Sequence, residues 1–407
     1  MIPRKVQVGV IGAGMSGLIC ALECQSKGLE TVILESSHKV GGRLQSEIIQ
    51  GAICDRGFQV FLPSYPKARK WVKSLNIKWC PYPRSAQIID QNSLWFGIPY
   101  LTPKKYQIGE KLKPTLGDYI QLSKDCLDGF FFKNRGNKNV QLETYFTQFY
   151  SKNFSKNFLK PFFRGVFLDK DLQAPIPLFQ YYLNLFLRGG VSVPENGMGE
   201  ITHKLALSLQ KNSLFLNQKV HKIISNRNGW LIKTHLGEEL QTDVVVLATE
   251  YLQACQIYPQ LCNTSRSLPL STHFCLTKSV PEKLGPLNLF PNAKSIHGIA
   301  IPTTVAPNYT TGNSHLLMLT THGLKHSVKE DIIEELIQLG ISEAKQWNWI
   351  HQLPIKQIIP KFNIAKIKFP NFILAGDWTT FPSIEGACRS GEDAGKKSYK
   401  YILNKCK

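Results

Sequence analysis

The sequence predicts an α/β fold, a parallel sheet with helices interleaved with a smaller α+β domain. Three observations point to it. Residues 6–35 contain a complete strand–turn–helix–strand unit. Two later apolar runs, Asp243-Val-Val-Val-Leu-Ala-Thr249 and Phe372-Ile-Leu-Ala375, read as further strands of one buried parallel sheet. Between about 85 and 190 this pattern gives way to helical periodicity, with lysines set among aromatics. At 407 residues the chain also exceeds the size at which one core stops growing. We therefore expect an interrupted domain. Residues 1–85, 191–262 and 352–407 form the parallel-sheet part, and 86–190 and 263–351 form the second domain.

The first strand is Val6-Gln-Val-Gly-Val-Ile11. Gly12-Ala-Gly14-Met15-Ser16-Gly17 follows, then a helical pattern from Leu18 to Lys27 that stops at Gly28. Gly12 permits a tight turn, Gly14 lets backbone approach a pyrophosphate, and Gly17 lets helix and strand pack closely. Amides of Met15, Ser16 and Gly17 at the helix start would face the anion. The second strand, Thr31-Val-Ile-Leu, ends at Glu35. Its carboxylate is placed to accept both hydroxyls of an adenosine ribose. Ser36 and Ser37 follow it instead of an arginine, so nothing invites a 2′-phosphate. The unit is a Rossmann-like dinucleotide site.

His38-Lys-Val-Gly41-Gly42-Arg43 adds a second glycine pair just past that carboxylate. A plain nicotinamide dehydrogenase has no need of it. Here the chain must pass close to the pyrophosphate, and the Arg43 fork can balance its charge. From this point, and through Asp55-Arg-Gly57-Phe58-Gln-Val-Phe-Leu-Pro-Ser-Tyr65-Pro, the sequence resembles the flavin amine oxidase superfamily. That family includes monoamine and polyamine oxidases, protoporphyrinogen oxidases and plant-type carotenoid desaturases. The resemblance implies an amine-oxidase-like two-domain architecture and FAD as cofactor. It places Gly57 and Phe58 near the flavin ring; read alone, that stretch is a strand and turn of the core. No cysteine stands where monoamine oxidases attach their flavin, so the resemblance implies non-covalent FAD.

Further on, Pro194-Glu-Asn-Gly197-Met-Gly199 precedes a helix expected over about 201–210 and a strand over 214–220. The resemblance sets Val220 against the adenine. Gly229–Gly237 reads as a hairpin. In the second domain, strands are expected at 273–277, 298–301 and 315–320, and a helix at about 329–345. His322 and His326 have a metal-like spacing, but Gly323 weakens a helix there and no acidic or thiol cluster completes a set. No metal site is expected.

The net charge of +20 comes from 49 basic and 29 acidic residues. It favours anionic partners, although a lysine-rich solvated surface explains it equally. No nucleic-acid module accompanies it, so nucleic acid is not expected as a partner. Tyr150-Ser-Lys-Asn-Phe-Ser-Lys-Asn-Phe-Leu-Lys-Pro-Phe-Phe163 could dock peripherally on an anionic membrane, but aromatics in the core with solvated lysines is the plainer reading. The polar segment 133–139 reads as an exposed loop. Ten scattered cysteines without a CxxC pair read as reduced thiols. With no signal-like segment and no transmembrane run, a cytoplasmic location is expected.

The closing motif is Gly376-Asp377-Trp-Thr379, then Ser383-Ile384-Glu-Gly386-Ala387 and Ser390-Gly391. It resembles the carotenoid desaturase ending most. The resemblance implies that Asp377 reaches the ribityl or pyrophosphate region, that Ile384 lies by the ring, and that the helix opening at Ser383–Ala387 aims its amides at the flavin. Two features of amine oxidases are missing: a lysine on the strand near Leu270–Leu276, and a tyrosine where Ser383 stands. The leading reading is therefore desaturation or dehydrogenation of a hydrophobic small molecule, isoprenoid, carotenoid-like or porphyrinogen-like, by hydride transfer to flavin N5. The electron acceptor would be O2 or a quinone. The alternatives are oxidation of a polyamine or aromatic amine, and a flavin-bound isomerase or carrier without net oxidation.

Overall fold

The computed structural model describes residues 2–89, 94–97 as backbone, 114–131, 141–167, 169, 171–227, 229–262, 269–322, 328–355 and 369–405. The loop expected at 133–139, His326 and the His322 side chain lie outside these residues.

β1 (Lys5–Ile11) lies at the centre of a seven-stranded sheet, between β2 (Thr31–Leu34) and the strand Glu239–Leu247. Both pairings are parallel. Val8, Val10, Val244 and Val246 are fully buried, which explains why these strands are apolar along their whole length. Phe372–Leu374 returns after the second domain to pair in parallel with Glu239–Leu247. The hairpin expected at 229–237 is present: Gly229–Thr234 runs antiparallel to Glu239–Leu247. The strand expected over 214–220 is two pieces. Leu214–Phe215 pairs with β2, and Val220 opens a separate strand that runs to Asn226. Asn217, at φ +56°, makes the break.

The second sheet also has seven strands, in the order 348–355, 270–277, 315–322, 296–300, 287–289, 85–88, 94–97. Its edge strand Asn348–Ile355 pairs with Leu270–Thr277 as far as Leu270↔Ile355, so the second domain extends four residues past the expected boundary at 351. The helix expected over 329–345 stops at Gln338, where Gly340 turns the chain at φ +79°. A 3-10 turn, Ser342–Gln346, follows.

Helices fill the span between the sheets' segments: α2 (Ala68–Val72), α3 (Leu116–Phe130), then Leu142–Phe149, Lys160–Phe167 and Ile176–Gly189. In the aromatic stretch 150–163, Tyr150, Phe154, Phe158 and Phe163 are buried, and Phe154 stacks on Phe158 at 5.5 Å. The aromatics are core and Lys152 and Lys156 are exposed. The membrane-docking reading of that stretch is not supported by its packing. No helix among the described residues is long and apolar enough to cross a membrane.

Candidate cofactor and active site

The chain leaves β1 and turns at Gly12, φ +104°, where a Cβ would stand 2.9 Å from the Ala248 carbonyl oxygen. A Cβ on Gly17 would meet the Gly12 oxygen at 2.0 Å, so only glycine lets the helix rest on the strand end. Helix α1 (Met15–Gln25) starts three residues earlier than its apolar periodicity suggests, because the glycine run forms its first turn. Gly14 precedes it, and no side chain caps its first amides. Those amides are left for an anion. No heavy atom lies within 4 Å of a Cβ built on Gly14. Across this open space stands Gly42, while Gly41 donates its amide to the Ala13 carbonyl at 2.8 Å. The two glycine pairs thus line one slot.

The side chains of that first turn point elsewhere. Met15 lies in the main core, and Ser16 Oγ donates to the Ala387 carbonyl at 2.9 Å. Only their backbone is available to a ligand. The Ser16 bond joins the first helix to the last, a link invisible in the sequence.

Glu35 is buried at the end of β2. Its Oε2 accepts from the Ala13 amide at 2.7 Å, and its Oε1 from the Ser37 amide and hydroxyl, both at 2.9 Å. Ribose hydroxyls are donors of the same kind as the Ser37 hydroxyl. The segment leading to Val220 runs alongside, with the Gln218 amide donating to the Glu35 carbonyl at 2.7 Å. Val220 itself is buried in a cluster with Ile11 and Leu34.

Arg43 pairs with the buried Asp377 through Nη2 and Oδ1, and its Nε lies 3.8 Å from Glu250. The Asp377 carboxylate holds the guanidinium above its usual range. Sequence reasoning aimed each of these groups at the cofactor separately; the structure joins them to each other. Gly376, at φ +144°, places Asp377 there, and its amide donates to Ser390 Oγ at 3.0 Å.

Gly57 sits where the two domains meet. A Cβ on it would approach Ile355 Cδ1 to 2.9 Å and Thr272 Oγ1 to 3.7 Å. Phe58 is half-buried against the main core. Thr272 belongs to the strand Leu270–Thr277 and is buried. Alternation puts Thr272, Phe274 and Leu276 on this side, and Phe274 and Leu276 pack into the main core. The strand carries no lysine.

The last helix runs from Ile384 to Lys405. Ser383 caps it, its Oγ accepting from the Gly386 amide at 2.8 Å. Ile384 is partly buried on the main core and Ala387 is buried. Tyr181, Tyr182 and Phe381 surround this start: Tyr182 donates to the Pro382 carbonyl at 3.1 Å, and Tyr181 and Phe381 meet edge-on at 5.6 Å. The Arg389 guanidinium lies 5.5 Å from both rings. Aromatic walls thus come from the helix Ile176–Gly189, a source sequence reasoning missed because only tertiary packing supplies it.

Two further acids were not anticipated. Glu385 is fully buried and accepts from the Lys67 and Ala68 amides at the start of α2, as well as from Arg389 Nε at 2.8 Å. Asp55 is buried and accepts from Ser46 Oγ at 2.5 Å, Tyr309 Oη at 2.8 Å and the Met198 amide at 2.9 Å. Burial pushes the Asp55 carboxyl up to about 6, against the opposing effect of those donors.

A glycine-lined slot, an uncapped helix start and a buried carboxylate one strand away together define a dinucleotide-binding protein of two interleaved domains. The chain is matched over residues 15–343 by the family described as flavin-containing amine oxidoreductase, and it belongs to that family. The protein is an FAD-dependent oxidoreductase, and the slot fits that cofactor. The chain is similar to protoporphyrinogen oxidase 2 of Arabidopsis thaliana, with 30% identity over 100 residues, covering 24% of this chain and 19% of the relative. It is similar also to the mitochondrial protoporphyrinogen oxidase of Nicotiana tabacum, 28% identical over 155 residues, 33% of this chain and 30% of the relative. The matched part is thus under a third of either relative's length. Among solved structures, a putrescine oxidase bound to putrescine superposes with a TM-score of 0.74 at 15% identity, covering 98% of this chain and 99% of that one. Cyclohexylamine oxidase from Brevibacterium oxydans gives 0.74 at 14% identity, covering 98% and 100%. These two likenesses are of fold.

Proposed function

We propose that this chain dehydrogenates a hydrophobic small molecule, porphyrinogen-like or isoprenoid-like, with non-covalent FAD as the hydride acceptor at N5. The observation that carries the proposal is the strand Leu270–Thr277. Where it meets Gly57 it presents hydrocarbon and one hydroxyl, Thr272, and no amine. The partial sequence likeness to plant protoporphyrinogen oxidases supports the porphyrinogen-like class.

In this reading the amides of Met15, Ser16 and Gly17 hold the pyrophosphate across the slot from Gly41 and Gly42, and Glu35 takes the ribose hydroxyls. Val220 flanks the adenine. The Arg43–Asp377 pair closes the pyrophosphate and ribityl side. Gly57 and Phe58 would lie near the flavin ring. Ser383 caps the last helix through the Gly386 amide, and the remaining amides of its first turn, at Ile384 and Glu385, with Ala387 beside them, would help hold the flavin and favour its negatively charged reduced form. The apolar strand and the Tyr181, Tyr182 and Phe381 rings keep water from the reacting carbon. The electron acceptor is O2 or a quinone.

Those rings also support a second reading, an aromatic slot for a neutral amine. Arg389 beside them disfavours a cationic one. The FAD-loaded protein is incubated aerobically with a porphyrinogen, a polyene precursor, putrescine and benzylamine, and dehydrogenated product is measured. Product from the porphyrinogen or polyene alone is expected. Turnover of the amines alone overturns the proposal.

A further inference from the structure

Helix α3 is turned inside out. It meets the protein through Asp118, Asp125 and Gly129, all buried, while Leu116, Tyr119, Ile120, Leu127, Phe130 and Phe131 are exposed by 77%, 43%, 49%, 64%, 60% and 71%. The exposed six recur at helical spacing and form one stripe along about 20 Å of helix. The orientation is fixed by buried bonds. Asp118 accepts from the Ser151 amide and hydroxyl, both at 2.7 Å, and caps the helix with Thr115. Asp125 accepts from Tyr145 Oη at 2.6 Å, Tyr150 Oη at 2.5 Å and Gln180 Nε2 at 2.8 Å. A Cβ on Gly129 would stand 2.0 Å from the Gln180 carbonyl oxygen. Rolling the stripe inward would strand two carboxylates and their donors, so the stripe stays outward, and none of the described residues covers it.

We propose that this stripe docks in the surface of an anionic lipid bilayer. Charge selects that occupant. Lys124 on the helix and Arg188, which lies 5.6 Å from the Phe130 ring, are both exposed. The exposed acid on α3 is Asp128. An apolar stripe flanked by Lys124 and Arg188, lying along a single helix, suits the interface between headgroups and acyl chains. A second copy would set one basic flank against another. The inference is independent of the substrate proposed above.

The test is flotation of the FAD-loaded full chain with vesicles of phosphatidylcholine alone or with phosphatidylglycerol. Binding to the anionic vesicles is expected, weakening as salt is raised. Ile120→Glu/Leu127→Glu should reduce it by about tenfold or more, with melting temperature and flavin content unchanged. If the glutamates disturb folding, Ile120→Gln/Leu127→Gln carries the same comparison. No flotation with anionic vesicles, or flotation indifferent to these substitutions, overturns the proposal. So does a dimer in solution that the same substitutions dissolve while vesicle binding is absent; that result assigns the stripe to a second copy.

Discussion

Glu35 holds the Ala13 amide and the Ser37 donors at once, so its removal loosens the nucleotide slot as well as the proposed ribose contacts. Glu35→Ala should retain FAD at least tenfold more weakly, measured by dialysis and flavin fluorescence; unchanged retention would contradict its role. Asp55 makes a pH-dependent prediction. Its carboxyl is pushed from 3.8 to about 6 by burial, so its contribution to stability is fully present below about 4 and lost as pH rises through about 6. The stability of the wild type relative to Asp55→Asn should therefore fall by on the order of 2–3 kcal/mol between those limits. A difference that grows with pH would contradict the burial argument. Ser383→Ala removes a helix cap and should lower stability by about 1 kcal/mol, read from the urea midpoint. Glu35 and the glycines were legible because their spacing follows from backbone geometry. Asp55 and Glu385 were not, because their partners lie far away in sequence, at Met198 and Tyr309 for one and at Lys67 for the other.

At the scale of elements, the first and last helices act as one piece. Gly391 and Gly395 let the last helix approach α1 closely: a Cβ on Gly391 would stand 2.5 Å from the Ser16 carbonyl oxygen. Together with the Ser16–Ala387 bond, this packing sets where the last helix begins. Gly391→Val should push the helices apart, destabilising the protein by about 1–3 kcal/mol and weakening FAD retention. Normal flavin content in that variant would show that the last helix does not shape the slot. The strands were readable because parallel strands are apolar throughout. The inner face of helix α3 cannot be read that way: its apolar stripe points outward, and only the bonds to Asp118 and Asp125 reveal which face is held inside.

At the scale of the whole molecule, the chain leaves the first sheet and returns, ending with Phe372–Leu374 beside Glu239–Leu247. That return brings Asp377 to Arg43 and Ala387 to Ser16, so the glycine turn at one end and the motif at the other share one site. The two-domain pattern was legible from composition. The limit of the second domain was not, since Gln352–Ile355 differ from their neighbours only in which strand they pair with. Flavin content tests the shared site most directly. The purified protein should carry a single FAD per chain, released by acid, and Gly14→Val, which fills the open space of the slot, should fold but carry none. Protein without flavin even after incubation with FAD, or a Gly14→Val variant that keeps a full complement, would contradict the account.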